Sequence, residues 1–353
     1  MASWLEQIDP CGHRRRKGLR LVAAYGLAAV LGIVLHRSYD ISGSQWLGYL
    51  AAGFALWACV SEGQTTRRLS ARDLAFLNAA AVAGALMFVG LSSIPIRLGL
   101  AGPEWILVIG AFLVGYLKRF GILGAGVGSQ SYIGQLLAYG TNLTSQDLPM
   151  VLLAGLTAGV ASIASQVFRR PVEPPMPATL YASDPHGRVP LEMRMALQSA
   201  IAALIIVLLS SIIHLQQSAW AITASTYVIA GSASGTADRV RRRIVGTLIG
   251  VPIGILCLPI CLHLPPLAWA LAAVAMIIYA IALPDRYDVA CGAYAFTLMV
   301  TLAVTGETSI YVLAARAWET LIGGSLGVAV AKFILPLASG SSSAQKPWLL
   351  RPN

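Results

Sequence analysis

Long apolar segments alternate with short polar or basic turns along most of the chain. Bounded by charges, prolines and polar turns, twelve of these segments are predicted as helices. The predicted helices span 18–35, 45–60, 73–94, 105–117, 121–140 and 148–168 in the first half, and 194–214, 219–231, 243–263, 267–283, 289–304 and 309–337 in the second. Several are shorter than the roughly 20 residues that cross hydrocarbon, so either their true boundaries lie a few residues further out or the bilayer thins locally.

The pattern of the first half recurs in the second. Trp46 is followed 174 positions later by Trp220, and each begins an apolar segment that ends in a small-polar and basic turn, at 61–72 and at 232–243. Each half has an even number of predicted helices, so both halves begin and end on the same side of the membrane. We therefore expect a parallel repeat, related by an axis along the membrane normal.

These patterns predict an all-α membrane protein of about twelve transmembrane helices in two parallel six-helix repeats. The predicted parts are a cytoplasmic N-terminal segment at 1–17, the first repeat at 18–168, a Pro-rich cytoplasmic linker at 169–193, the second repeat at 194–337 and a disordered cytoplasmic tail at 338–353.

Composition and charge agree with this fold class. Of the 353 residues 57% are hydrophobic and 11% are charged, whereas a soluble domain is about 25% charged. The net charge of +10 would indicate nucleic acid binding in a soluble protein. Here the predicted inner loops and tails hold 21 Lys and Arg residues and the outer loops hold only Arg37 and Arg97. This is the positive-inside pattern of a bacterial inner-membrane protein with both termini cytoplasmic, and it disfavours nucleic acid as a partner.

Small residues recur at four-residue spacing on three predicted helices. They are Gly246, Gly250 and Gly254, then Gly155 and Gly159, and finally Gly323 and Gly327. Such a face lets another helix backbone approach closely. It indicates compact packing, or alternatively a hinge or wall of a transport pathway.

The second copy carries sequences that identify a family. Residues 191–197 read Leu-Glu-Met-Arg-Met-Ala-Leu, residues 235–243 read Gly-Thr-Ala-Asp-Arg-Val-Arg-Arg-Arg, and residues 316–324 read Arg-Ala-Trp-Glu-Thr-Leu-Ile-Gly-Gly. In this order they resemble the fusaric acid resistance (FUSC) family and the wider aromatic acid exporter group, which includes plant malate channels. The resemblance covers roughly 191–335 and is faint before it. It implies an inner-membrane carrier or channel for organic anions, often aromatic carboxylates, that sometimes works with a periplasmic adaptor and an outer-membrane channel.

Two ionisable residues lie deep in the last predicted helix. Arg316 and Glu319 are roughly 10 and 15 Å from its outer end, at about 1.5 Å per residue. Charges at such depth are functional candidates. Their i, i+3 spacing allows a structural ion pair. Alternatively, Arg316 binds a substrate carboxylate while Glu319 balances that charge or takes a proton.

Further candidates lie on the other helices of the second half. The basic run of Arg239, Arg241, Arg242 and Arg243 either anchors the helix or attracts anions to the inner mouth. Arg243 and Thr247 are its deepest positions, and Asp238 is predicted as a helix N-cap. Ring faces and donors suited to an aromatic acid are offered by Trp220, Thr223 and Tyr294. Others are Thr226, Tyr227, Tyr279 and Thr297, with Gln130, Tyr132 and Gln135 in the first half. Alternatively, Trp220 belongs to an interfacial aromatic belt, and the other side chains form hydrogen bonds between helices.

No motif indicates a catalytic, cofactor or metal site, so we expect neither an enzyme nor a resident cofactor. The function expected is export of organic anions across the inner membrane, of the fusaric acid or hydroxybenzoate type, for detoxification or resistance. The alternatives are a passive anion channel and a non-transporting scaffold or assembly subunit. The lipid bilayer is the other expected partner, and a homo-oligomer is a further possibility.

The charge distribution predicts that both termini face the cytoplasm. Reporter fusions at the two termini should both be active with a cytoplasmic fluorescent protein and both be inactive with a periplasmic phosphatase. Activity of the phosphatase at one terminus alone would contradict an even number of crossings.

Overall fold

The structure is a computed structural model, and it describes residues 12–39, 46–63, 66–99, 102–168, 190–213, 215, 218–283, 285–304, 306 and 309–336. The described part of the chain is all-helical and contains no strand. The predicted tail, residues 1–11 of the N-terminal segment and residues 169–189 of the linker lie outside the described residues.

Within the described residues the first half contains seven helices. They are α1 (His13–Tyr39), α2 (Leu47–Ser61), α3 (Arg67–Leu91), α4 (Ser93–Arg97), α5 (Trp105–Tyr116), α6 (Gly121–Gly140) and α7 (Leu148–Ala164). The described part of the second half also contains seven. They are α8 (Leu191–Ile213), α9 (Ser218–Val228), α10 (Ala233–Leu256), α11 (Leu258–His263), α12 (Pro265–Ala282), α13 (Tyr287–Val304) and α14 (Ile310–Phe333). Short 3₁₀ turns add Leu117–Phe120, Ser145–Asp147 and Ser165–Phe168.

Each of the twelve predicted segments overlaps one of the longer helices, and the short helices α4 and α11 extend two of them. Among the described residues, seven helical segments are long and apolar enough to cross a membrane. The chain is therefore a multi-pass membrane protein, and its number of crossings stays a prediction. Helix α1 begins at His13 and α8 at Leu191, so both start a few residues before the predicted boundaries at 18 and 194.

The largest difference from prediction is the start of α10. This helix begins at Ala233, ten residues before the predicted 243. Ser232 caps it, because its hydroxyl accepts a hydrogen bond from the Gly235 backbone N–H at 3.1 Å. The prediction that Asp238 is the N-cap is wrong, since Asp238 lies in the second turn and pairs with Arg242 at 2.9 Å.

One apolar segment folds back on itself. Helices α5 and α6 form an antiparallel hairpin in which Gly110 lies beside Tyr132 and Gly128 beside the Leu113 carbonyl. The chain reverses through the 3₁₀ turn Leu117–Phe120 and then Gly121, whose φ of +76° favours glycine. Helix α6 of this hairpin lines the cavity that is described in the next subsection.

Corresponding helices pack in the same way in both halves. In the first half α1 packs on α2, α2 on α7, α3 on α6 and α7, and α5 on α6. In the second half α8 packs on α9, α9 on α14, α10 on α13 and α14, and α12 on α13. The halves join where α5 packs on α8 and where α1 packs on α12, two contacts that are counterparts of each other. A duplicated unit would produce this reciprocity, and the two-repeat arrangement stays a prediction.

Glycines make the closest helix contacts, as the small-residue spacing predicted. A Cβ atom at Gly250 would overlap the Gly292 carbonyl of α13, and one at Gly323 would overlap the Ala221 carbonyl of α9. Gly134 of α6 lies equally close to the Ala81 carbonyl of α3. Gly159 differs, because a Cβ atom there meets no neighbour within 4 Å.

Replacing Gly250 by Ala should therefore lower the free energy of unfolding by about 1–3 kcal/mol, since the added methyl group forces α10 and α13 apart. Thermal unfolding in detergent measures this as a lower Tm. The matched substitution Gly159→Ala should leave Tm equal or higher, because it fills open space and improves helix propensity. Equal losses at both positions would contradict close packing at Gly250.

Candidate functional site

A cavity of about 920 Å³ lies between the two halves. The first half lines it with residues of α1, α2 and α6, and the second half with residues of α9, α10, α12, α13 and α14. Six of the seven predicted site residues line this single cavity. They are Trp220, Thr223, Arg243, Thr247, Tyr294 and Arg316.

Arg316 is the most deeply placed cation of the cavity wall. It is 3% exposed, and its guanidinium lies 3.8 Å from the centroid of the Trp220 ring and 5.5 Å from that of Tyr294. Its Nε and Nη1 atoms are buried and have no hydrogen-bond partner among the described residues. No ion pair of Arg316 occurs in this described part either. The side chain therefore presents unused N–H donors beside two aromatic faces.

Glu319 is the predicted site residue that does not line the cavity. It is fully buried one turn after Arg316 on α14. It lies within electrostatic reach of Arg316 and of Tyr139, whose hydroxyl donates to Glu104 at 3.0 Å. A substrate in the cavity would thus contact Arg316, whereas Glu319 would influence it only electrostatically, from outside the cavity lining.

Arg243 and Thr247 occupy successive turns of α10, and both line the cavity. Arg243 is 9% exposed and lies near Tyr287 and Cys291 of α13. Nearer the start of α10, Arg239 and Arg242 also line the cavity, and Arg242 is paired with Asp238. The predicted basic run thus places three of its four arginines on the cavity wall.

The hydroxyl of Thr223 is engaged within the protein. It donates to the Ala219 carbonyl at 2.7 Å and shares a hydrogen bond with the Tyr132 hydroxyl at 2.9 Å. A second pair, Ser129 and Tyr227, joins the same two helices at 2.8 Å. These bonds tie α6 of the first half to α9 of the second, so Thr223 holds the cavity wall in place.

The second-half residues of this site fall within one region of known sequence similarity. Residues 202–330 match the family described as fusaric acid resistance protein-like. The match begins within α8 and ends within α14, and it confirms the resemblance predicted from sequence. No curated protein and no solved structure matches the chain.

The first-half side of the cavity has an aromatic wall, formed by Tyr25, Tyr49 and Trp57, that the predicted site residues did not include. Trp57 of α2 lies 5.2 Å from Tyr294 and 6.4 Å from Tyr279, measured between ring centroids. The further lining aromatics Tyr25 and Trp269 lie 6.1 Å apart. A bound aromatic ring would therefore find edge and face partners from both halves.

A signal for this wall is present in the sequence. Tyr49, Gly53 and Trp57 are spaced four residues apart on α2, which places them on one face of the helix. Tyr49 and Gly53 also stand 174 positions before Thr223 and Tyr227. Aligning the candidate residues Thr223 and Tyr227 with their first-half counterparts would have predicted that this face of α2 lines the cavity.

Cys291 provides a test of the cavity, because it lines the cavity close to Arg243. In a variant that keeps Cys291 and replaces the other four of the five cysteines, an anionic methanethiosulfonate should react faster than a cationic one. After correction for their reactivity with a free thiol, we expect a ratio of about tenfold from the positive field of the wall. Arg243→Gln in the same background should reduce the ratio, and preference for the cationic reagent would contradict an anion-attracting cavity.

Proposed function

We propose that the protein is a bacterial inner-membrane transporter that exports organic anions of the aromatic carboxylic acid type and thereby confers resistance to them. The observation that carries this proposal is the buried, unpaired guanidinium of Arg316 in the cavity between the halves. The match to a fusaric acid resistance protein-like family supports a transport and resistance role.

The proposed arrangement has two parallel six-helix repeats with the cavity between them. The shared helix pairs and the reciprocal contacts α5 with α8 and α1 with α12 support this relation. With both termini cytoplasmic, the start of α10 and its arginines face the cell interior. An anion would then enter from the side where Arg239 and Arg242 line the cavity.

The substrate carboxylate would bind the free N–H groups of Arg316. A guanidinium offers donors in a planar fork that matches a carboxylate, and such charge-assisted hydrogen bonds are about twice as strong as neutral ones. The aromatic ring of the substrate would lie among Trp57, Tyr279 and Tyr294, whose centroids are 5.2–6.4 Å apart. Charge and ring contacts thus lie side by side in one cavity.

The membrane potential is a sufficient driving force. A carboxylic acid with a pKa of about 4 is anionic at neutral pH. One negative charge leaving a cell whose interior is 100 mV negative gains about 2.3 kcal/mol, which sustains a gradient of roughly 50-fold. Passive, channel-like efflux would therefore suffice, whereas a proton antiporter would use Glu319 as the proton site. Substrate current at fixed voltage without a pH gradient distinguishes them, because a strictly electroneutral exchanger carries none.

Arg316→Leu should reduce transport of a hydroxybenzoate at least about tenfold, because it removes the charged hydrogen-bond donors. The variant should remain folded but be less stable, since it removes a buried cation that has no ion pair among the described residues yet lies within electrostatic reach of the buried Glu319. Uptake of labelled substrate into inverted vesicles and a thermal unfolding curve measure the two effects.

Lys332→Leu is the matched control, because Lys332 is an exposed cation of the same helix outside the cavity. Its transport should stay near that of the wild type. Unchanged transport in folded Arg316→Leu would contradict the proposed role and favour a scaffold subunit.

A further inference from the structure

The charges of the cavity wall are strongly unbalanced. The wall contains four arginines, Arg239, Arg242, Arg243 and Arg316, but Asp238 is its single acidic residue among those the structure describes. Asp238 is already paired with Arg242. Three arginines of the wall therefore lack an acidic partner on the cavity surface.

Two of these three cations are buried. Arg316 is 3% exposed and Arg243 is 9% exposed, and no ion pair within the described residues includes either of them. They lie within reach of each other's electrostatic field. Two like charges in one low-dielectric cavity repel each other and each loses solvation, so the empty cavity is least costly when anionic groups or water approach both.

The packing of α10 against α14 sets the spacing of the two arginines. Gly324 lies beside Val240, and Leu313 is buried in one cluster with Val251. As the residue number rises by 11 from Leu313 to Gly324 on α14, that of its neighbour on α10 falls by 11 from Val251 to Val240, so the two helices are antiparallel. In this register Arg316 is level with position 248 of α10. Arg243 is five residues away from that level, which is about 7.5 Å along the helix axis.

An aromatic ring lies next to both cations. Tyr294 is 5.5 Å from the Arg316 guanidinium, measured to the ring centroid, and it also interacts electrostatically with Arg243. A flat ring substrate in this part of the cavity would have a cation towards each end and aromatic side chains alongside.

We infer that the preferred cargo is a rigid aromatic dianion, with one acidic group on Arg316 and the other on Arg243. This inference rests on the proposed function and narrows its substrate class. Glu319 lies within electrostatic reach of Arg316 from outside the cavity lining, whereas no acidic residue of the described part pairs with Arg243. A monocarboxylate bound to Arg316 therefore leaves Arg243 without an anion. A ring carrying acidic groups in 1,3 or 1,4 positions holds them several ångströms apart and neutralises both.

The experiment compares benzoate, isophthalate and terephthalate on the purified full-length protein in nanodiscs at pH 8, where all carboxyl groups are ionised. Quenching of tryptophan fluorescence reports binding, because Trp57, Trp220 and Trp269 line the cavity, and calorimetry gives the stoichiometry. We expect one dicarboxylate to bind at least about tenfold more tightly than benzoate, at one molecule per chain. The wild-type comparison needs no variant to fold.

Arg243→Gln should bring the dicarboxylate down to the affinity of benzoate and change benzoate binding less than about threefold. Arg119→Gln is the charge-matched control, because Arg119 is exposed outside the cavity, where it contacts Tyr116 and Phe120. This variant should keep the dicarboxylate preference. Retention of the preference in folded Arg243→Gln would overturn the assignment of the second anchor.

Equal affinity for benzoate and both dicarboxylates would overturn the dianion inference and leave anion transport standing. Two benzoates per chain, reduced to one by Arg243→Gln, would also overturn it, in favour of two separate monoanion sites. Binding of none of the three acids, together with no transport of any, would overturn the proposed function itself.

Discussion

A guanidinium enclosed in a low-dielectric interior needs compensation, and this requirement at Arg316 organises the cavity. Removing such a charge from water costs several kcal/mol, whereas a cation–π contact at a desolvated site returns about 2 kcal/mol. The Trp220 ring at 3.8 Å and the nearby Glu319 therefore each offset part of the cost. The remaining N–H groups of Arg316 require an acceptor, which an anionic ligand or water supplies. This need for an acceptor is the physical basis of the anion selectivity that we propose for the cavity.

Such a site needs walls that keep its parts in place. In a bilayer, close helix contact through small residues supplies much of the packing energy. Gly250 brings α10 against α13, and Gly323 brings α14 against α9, so the helices that carry Arg243, Tyr294, Trp220 and Arg316 are fixed relative to one another. The hydrogen bonds from α6 to α9 extend this frame across the boundary between the halves. Cavity-lining groups from both halves are thereby positioned by contacts within the protein.

Sequence patterns predicted the positions of all twelve long helices because apolar length is a local property of the chain. The start of α10 was missed because its first turns are polar and basic, and the cap at Ser232 was read as part of a loop. The charged and polar side of the site was predicted since intramembrane arginines are rare. The aromatic wall at Tyr49 and Trp57 was missed because its role depends on which face of α2 meets the other half, and that pairing is a property of the tertiary structure. Which face of α14 borders the cavity is likewise a property of the tertiary structure. Glu319 was therefore expected beside a substrate, whereas the structure places it outside the cavity lining.

The two halves contribute different chemistry to a shared architecture. All four arginines of the cavity wall come from α10 and α14, within the region that matches the family, while the first half adds aromatic and hydroxyl side chains such as Tyr25, Trp57 and Ser129. A cation placed in the first half would repel Arg316 across the cavity, whereas an aromatic wall adds ring contacts without altering the net charge. In the proposed function, the second half would therefore set the sign of the charge that the cavity attracts, and aromatic residues of both halves would contact the ring.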